Sequence, residues 1–350
     1  MIHKAKFENF KGLRDVEVTF DSRFTVLVGP NGTGKTSVLQ GVELVSEMSM
    51  SLTPTIPNWR QLRSKSDRSD QMIVRLEVDD RHGWQVEDPV SRNNTVKWAP
   101  VGISRTEKTG SIRINLPPNH YPDNNLGLSV RPCYSAAKIA MPTVTTTTPP
   151  TVQLDGTGVS SLMAYLKLRD DEIFDRVESE FRQLIPHVQK IRMNQISGAT
   201  DSPAGNVFMF DTKDARHVPA EQMSDGTLYI LALIVAVLGP HRPKTLLIDD
   251  IDMRLHPKAQ YELVTLLKKF LEEFPDLQII ATSHSPYILD KLEPNKVRVT
   301  GLGEDGSVVI APLTDHPSYE KWKDSMTPGE FWSHTGEEWL KKLKRETVSP

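Results

Sequence analysis

The chain has 350 residues, 38% hydrophobic and 25% charged, with a formal net charge of −3. That length suits one large α/β domain or two smaller ones, and the charge excludes an overall basic pull on nucleic acid. No apolar run reaches the roughly 18 residues of a membrane helix. No apolar leader opens the sequence, and the single cysteine, Cys133, excludes an internal disulfide and zinc-type cysteine pairs, so the expected compartment is a reducing cytoplasm.

The first residues read as strands over 2–7, 15–20 and 24–28, with Lys11-Gly12 marking a turn. A helix is expected from Gly34 to about Met48, ended by Thr53-Pro-Thr-Ile-Pro57. A local basic group follows at Arg60, Arg63, Lys65 and Arg68, readable as a nucleic-acid patch or as a solvated loop. Residues 71–78, 84–87, 95–98 and 111–116 look like short β segments of an antiparallel sheet beside the N-terminal half. Residues 142–150 read as a polar linker.

The period then changes. Val159, Leu162, Met163, Leu166 and Leu168 form one apolar helical face. Ile173, Phe174, Val177, Phe181, Leu184 and Ile185 form another, with Asp170 and Asp171 as candidate caps. Strands are expected near residues 188–193 and 206–210. Residues 228–238 are apolar nearly all round, which predicts a buried helix. After it come a short central strand at 245–248, an amphipathic helix at 257–274, a buried strand at 277–281, a short helix from Ser285, and a hairpin turning at Glu304-Asp-Gly306. The tail around Phe331-Trp332 and Trp339-Leu340 predicts two short helices.

Four stretches carry chemistry. The first is Gly29-Pro-Asn-Gly-Thr-Gly-Lys-Thr36, a G-x-x-x-x-G-K-T between strand and helix. Its glycines let backbone N–H groups face an anion, Lys35 can reach the β- and γ-phosphates, and the Thr36 hydroxyl can sit on Mg²⁺. The second is Leu246-Leu-Ile-Asp249-Asp250. An acid at a strand end can hold the magnesium shell, which suits Asp249, and Asp250 is placed to orient or deprotonate a water. The third is Thr282-Ser-His284-Ser-Pro286, after a strand expected beside the Asp249 strand. His284 there can contact a γ-phosphate, or be a histidine in a turn. The fourth is Met223-Ser-Asp-Gly-Thr227 at the head of the buried helix, either a second anion site or a simple N-cap by Ser224 or Asp225. Two glycine-rich anion sites for one nucleotide are most economically explained by two copies completing each other.

In this order the parts resemble the ATP-binding-cassette (ABC) superfamily of soluble ATPases, in the branch of RecF, the structural-maintenance-of-chromosomes heads and the overcoming-lysogenization-defect (OLD) ATPases. Gly29–Thr36 corresponds to Walker A, residues 224–227 to the signature, residues 246–250 to Walker B and His284 to the switch histidine. Asp252 with Leu255-His256-Pro257, and the opening Phe7-Glu-Asn-Phe10-Lys-Gly-Leu13, resemble the same branch.

The resemblance implies an α/β fold: a P-loop head with a mixed central sheet, an antiparallel β subdomain and a helical subdomain leading to the signature. The boundaries expected within one domain are a nucleotide-binding core at 1–50 and 215–312, β segments at 71–134, a helical signature-side part at 157–212 and a tail at 313–350. It implies ATP and Mg²⁺ as ligands. Gly29, Pro30, Asn31, Gly32, Thr33, Gly34, Lys35, Thr36 and Ser37 would surround the phosphates, with Thr36 and Asp249 on the metal and Asp250, His284 and Lys35 catalytic. It implies a homodimer in which Ser224 and Gly226 of one copy touch the γ-phosphate bound by the other, with Asp252 at the contact.

Two positions depart from the family. Asp250 stands where glutamate is usual, one methylene shorter, which implies slow hydrolysis and a gain of turnover in Asp250→Glu. The glutamine loop falls on either Gln61 or Gln71. Ser-Asp-Gly-Thr in place of the transporter Ser-Gly-Gly-Gln argues against a transporter ATPase. The tail at 327–339 resembles stand-alone bacterial ATPases that act with a separate effector, a nuclease or toxin, in defence against phage. The readings to separate are therefore a homodimeric defence switch, a RecF-like repair ATPase that binds DNA directly, and a weakly hydrolysing scaffold.

Overall fold

The computed structural model describes residues 1–20, 23–50, 72–78, 82–87, 97–102, 136–141, 148–152, 156–196 and 205–346. The strands are β1 (Lys4–Phe10), β2 (Leu13–Thr19), β3 (Phe24–Val28), β4 (Ile73–Glu77), β5 (His82–Glu87), β6 (Lys97–Gly102), β7 (Val188–Ile196), β8 (Gly205–Thr212), β9 (Val218–Pro219), β10 (Thr245–Ile248), β11 (Gln278–Ser283), β12 (Val297–Leu302) and β13 (Val308–Pro312). The helices are α1 (Lys35–Met50), α2 (Ala136–Ala140), α3 (Val159–Arg169), α4 (Asp171–Leu184), α5 (Asp225–Leu238), α6 (Pro257–Glu273), α7 (Pro286–Leu289), α8 (Tyr319–Trp322), α9 (Pro328–Thr335) and α10 (Leu340–Glu346). They divide into two units. One holds residues 1–129, 244–251 and 276–350, the other residues 130–243 and 252–275. The chain thus leaves the first unit and returns to it twice. Residues 215–243 and 252–275, grouped with the nucleotide-binding core on sequence, go with the second unit.

The first unit has two sheets. One is ordered β10-β11-β3-β12-β13, its first four strands parallel and β13 closing as an antiparallel hairpin. The strands β3, β10 and β11 are buried at every position, as parallel strands covered on both faces require. The other sheet, β2-β1-β4-β5-β6, is antiparallel throughout. Its strands alternate, turning Phe7, Val16, Val18, Val74 and Leu76 to the core. Because β4 pairs with β1, the strands after residue 71 extend the N-terminal strands into one antiparallel sheet. The helix α1 joins both sheets in one core. Its Val38, Leu39, Val42 and Val45 cluster with Phe7, Phe10 and Leu13 from one and Leu27, Leu247 and Ile280 from the other. The expected strand at 111–116, the basic group from Arg60 to Arg68, Gln61, Gln71 and Cys133 lie outside the described residues.

The tail forms three short helices, α8 to α10, one more than the sequence suggested. Trp322 stacks on Phe331 at 3.9 Å, and His316 stands edge-on to Phe331 and Trp339. Burial there lowers the His316 pKa. A capping box of Thr327 and Glu330 starts α9. The Asp290 carboxylate, just past α7, accepts the Thr327 hydroxyl at 2.6 Å and the Gly329 N–H at 3.1 Å. A β-carbon on Gly329 would overlap the Pro286 carbonyl and Asp290 Oδ1. Gly329→Ala is therefore expected to cost about 1–3 kcal/mol, read as a lower urea midpoint at unchanged m-value. An unchanged midpoint would refute this latch.

In the second unit α5 is buried at every residue from Gly226 to Leu238 and packs against α2, α3 and α4. It is only 14 residues long. Among the described residues no helix is long and apolar enough to cross a membrane. Asp170 caps α4 by accepting the Ile173 N–H at 3.2 Å. The apolar face of α4 buries Phe174, Val177, Phe181 and Leu184. Its polar residues reach α6 through Arg176 to Glu273 and through Lys269 to the buried Glu180. A three-stranded sheet, β7-β8-β9, completes this unit, with Phe210 packed on Phe181. The Arg192 guanidinium and the His217 N–H hold the Asp211 carboxyl down to about 2.

Candidate nucleotide site

The loop after β3 bends back on itself through positive φ at Gly29 (146°), Gly32 (81°) and Gly34 (86°). Two of these are also steric requirements. A β-carbon on Gly29 would overlap the Thr300 carbonyl and hydroxyl of β12, and one on Gly34 would lie 2.7 Å from Leu13. The neighbouring strand braces the loop by hydrogen bonds as well. The Thr33 and Thr300 hydroxyls lie 2.6 Å apart, within hydrogen-bond distance, with the Pro30 carbonyl 2.8 Å from Thr33 and the Val28 carbonyl 3.0 Å from Thr300 as their other acceptors. The buried Lys35 ammonium donates to the carbonyls of Gly29 (2.7 Å) and Pro30 (2.8 Å), so its charge sits over the loop. Pro30, Asn31 and Gly32 form the exposed crest, and Ser37 is half-buried in the first turn of α1.

The acids arrive at the ends of the strands alongside. β10 and β11 pair directly, as expected, and β11 pairs with β3. Thr36 donates its hydroxyl to Asp249 Oδ1 at 3.1 Å, although 213 residues separate them. His284 Nε2 lies 3.8 Å from Asp250 Oδ1, both groups partly exposed. Lys35, Thr36, Asp249, Asp250 and His284 therefore occupy one end of three adjacent parallel strands. Among the described residues no group of three or more His, Cys, Asp or Glu side chains could hold a metal ion. The paired hydroxyl and carboxylate of Thr36 and Asp249 nevertheless fit magnesium, which takes one or two protein oxygens and fills its shell with water and phosphate.

Sequence reasoning missed two residues here. Thr300 braces the loop from a strand with no motif of its own. Thr282 donates its hydroxyl to Asp249 Oδ1 at 2.8 Å and accepts the Asp250 N–H at 2.7 Å. The only signal for Thr282 was its place two residues before His284.

The signature residues belong to the second unit. Ser224 caps α5, accepting the Thr227 N–H at 3.2 Å, so the plain N-cap reading holds whatever else Ser224 does. Asp225 pairs with Arg254, and Gly226 has no room for a side chain because a β-carbon would sit 2.5 Å from the Arg254 carbonyl. The loop carrying Asp252 and Arg254 is thereby packed on the signature. Gln260 holds the same loop by donating to the Leu255 carbonyl at 2.9 Å. Ser224 and Asp225 remain exposed.

The chain also resembles proteins already known. The chain is 23% identical over 330 residues to the Septu protein PtuA of Bacillus mycoides (strain KBAB4), covering 88% of this chain and 42% of that protein. It is 24% identical over 157 residues to the Retron Vc95 probable ATPase of Vibrio cholerae serotype O1 biovar El Tor, covering 40% of this chain and 30% of that one. The chain thus spans less than half the length of either relative. A crystal structure of the SMC head bound to the C-winged helix domain of ScpA superposes with a TM-score of 0.58 at 16% identity, covering 91% of this chain and 99% of that one. The fold is accordingly that of an ABC-type P-loop ATPase head. The family model described as "AAA domain, putative AbiEii toxin, Type IV TA system" matches residues 24–290, from the strand that feeds the P-loop to the latch residue Asp290, and the chain belongs to that family.

Proposed function

We propose that this protein is an ATP-hydrolysing switch that works as a homodimer and controls a separate effector, a nuclease or toxin, in bacterial defence against phage. The observation that carries the ATPase part is the gathering of Lys35, Thr36, Asp249, Asp250 and His284 at one end of adjacent parallel strands. The match to a retron "probable ATPase" supports it. The effector and its setting rest on the likeness of the tail to stand-alone defence ATPases and on the Septu and retron relatives.

In this mechanism the loop N–H groups, Lys35 and the N-terminus of α1 bind the phosphates of ATP. Thr36 and Asp249 would hold Mg²⁺, which would supply positive charge against the phosphates. Asp250 accepts a proton from the water that attacks the γ-phosphorus. The bond from that phosphorus to the β-bridging oxygen breaks, and ADP leaves with the pair. His284, beside Asp250, contacts the γ-phosphate and so distinguishes ATP from ADP. Ser224 and Gly226, on the other unit and with Ser224 exposed, complete the site of a second copy.

ATP turnover per molecule measured against protein concentration tests this. Turnover should climb with concentration and fall on the order of 100-fold in Ser224→Arg, which places a bulky cation where a phosphate ligand belongs. Stimulation by duplex DNA would favour the RecF-like reading. A flat, near-zero rate despite tight ATP binding would favour the scaffold.

A further inference from the structure

The two acids sit on a turn that departs from ordinary backbone geometry. Asp250 has φ 50°, in the left-handed region that side-chain-bearing residues seldom adopt and that aspartate tolerates better than most. One residue of the adjacent strand holds this turn at three points. The Ile251 N–H donates to the Thr282 carbonyl at 2.9 Å. The Asp250 N–H donates to Thr282 Oγ1 at 2.7 Å. The same hydroxyl donates its single proton to Asp249 Oδ1 at 2.8 Å. Thr282 is fully buried, so no water competes for the hydroxyl, and each of these bonds is correspondingly stronger.

We propose that Thr282 is the positioning residue of the ATP site, aligning Asp249 for the cation and Asp250 for the water through one hydroxyl. This rests on the ATPase reading for its chemistry, though the bonds themselves stand without it. Asp249 Oδ1 receives two hydroxyls, from Thr36 and from Thr282. Those two bonds fix the rotation of the carboxylate, which decides what its other oxygen faces. The bond to the Asp250 N–H fixes the peptide from which the shorter acid projects.

The test compares Thr282→Val, which keeps the shape and removes the hydroxyl, with Thr282→Ser, which keeps the hydroxyl. The first readout is binding of a fluorescent ATP analogue with and without Mg²⁺. Residues that orient a metal ligand contribute about 10- to 100-fold to metal affinity. Thr282→Val should therefore lose about tenfold or more of the Mg²⁺-dependent enhancement while metal-free binding stays within about threefold. The second readout is kcat at saturating Mg²⁺, which should fall by a similar factor with KM for ATP little changed. Thr282→Ser should recover both. The proposal is overturned if Thr282→Val keeps the wild-type Mg²⁺ dependence, if binding falls equally with and without Mg²⁺, or if serine fails to rescue. A wild-type protein that binds ATP but never hydrolyses it would sink the hydrolysis reading, while the Mg²⁺ dependence would still judge Thr282. A wild-type protein that binds no ATP would overturn both.

Discussion

Gly29→Ala will abolish nucleotide binding while leaving the protein folded. The expected loss of ATP affinity is about 100-fold or more, comparable to that of Lys35→Ala: the added methyl displaces the loop of the anion cradle, and the lysine change removes its cation. The reason is particular to this chain. Gly29 combines a φ of 146° with a β12 neighbour whose carbonyl and hydroxyl already fill the space a side chain would need. A backbone carbonyl in a buried strand cannot rotate away, so the loop must move instead. Its N–H groups, and the Lys35 ammonium held over Gly29 and Pro30, would move with it. Thermal unfolding without nucleotide should change much less than binding does, because the loop crest is exposed and the core under α1 is untouched. Isothermal titration with MgATP checks this. An affinity within about fivefold of wild type would show that the loop tolerates the side chain.

The difference between Gly29 and Thr300 shows what could be read from the sequence and what could not. The P-loop is local: its glycines, lysine and hydroxyl lie within eight consecutive residues, and the chemistry of a phosphate dictates each. The apolar runs of β3, β10 and β11 were equally legible, because a strand buried on both faces has no polar phase to hide it. Thr300 and Thr282 were not legible in that way, because their roles come from sheet register. Pairing Ser283 with Val28 and Ala281 with Ile248 puts the Thr282 hydroxyl beside both acids, and a shift of one residue would point it to the other face. The chain's two returns to the first unit were illegible for a similar reason. Periodicity marks α5 and α6 as helices but carries nothing about which unit they join. Ser224 shows the reverse limit, where the structure supplies a complete local reason, the N-cap, for a residue that motif order assigns to a ligand.

Asp250 gives the second large effect, and its two variants separate reach from chemistry. Asp250→Asn keeps the size, the left-handed backbone preference and the N–H bonded to Thr282, and removes only the basic oxygen. Turnover should fall about 100-fold or more, the usual contribution of a general base, with ATP binding within a few-fold of wild type. The ATP-bound dimer should accumulate as a result, visible as a nucleotide-dependent rise in mass by light scattering. Turnover within about threefold of wild type would remove Asp250 from the reaction. Asp250→Glu restores the extra methylene, and the gain in reach should raise turnover. The backbone limits that gain, however. A left-handed residue costs on the order of 1–2 kcal/mol, and aspartate escapes part of this through its short polar side chain, where glutamate does not. Since about 1.4 kcal/mol is tenfold in a population, glutamate should gain less than about tenfold. A rate below wild type would mean that the turn held by Thr282 accepts aspartate for its backbone first. The short acid would then be a requirement of this site's geometry, and slow hydrolysis would follow from the fold of the β10 turn as much as from the missing methylene.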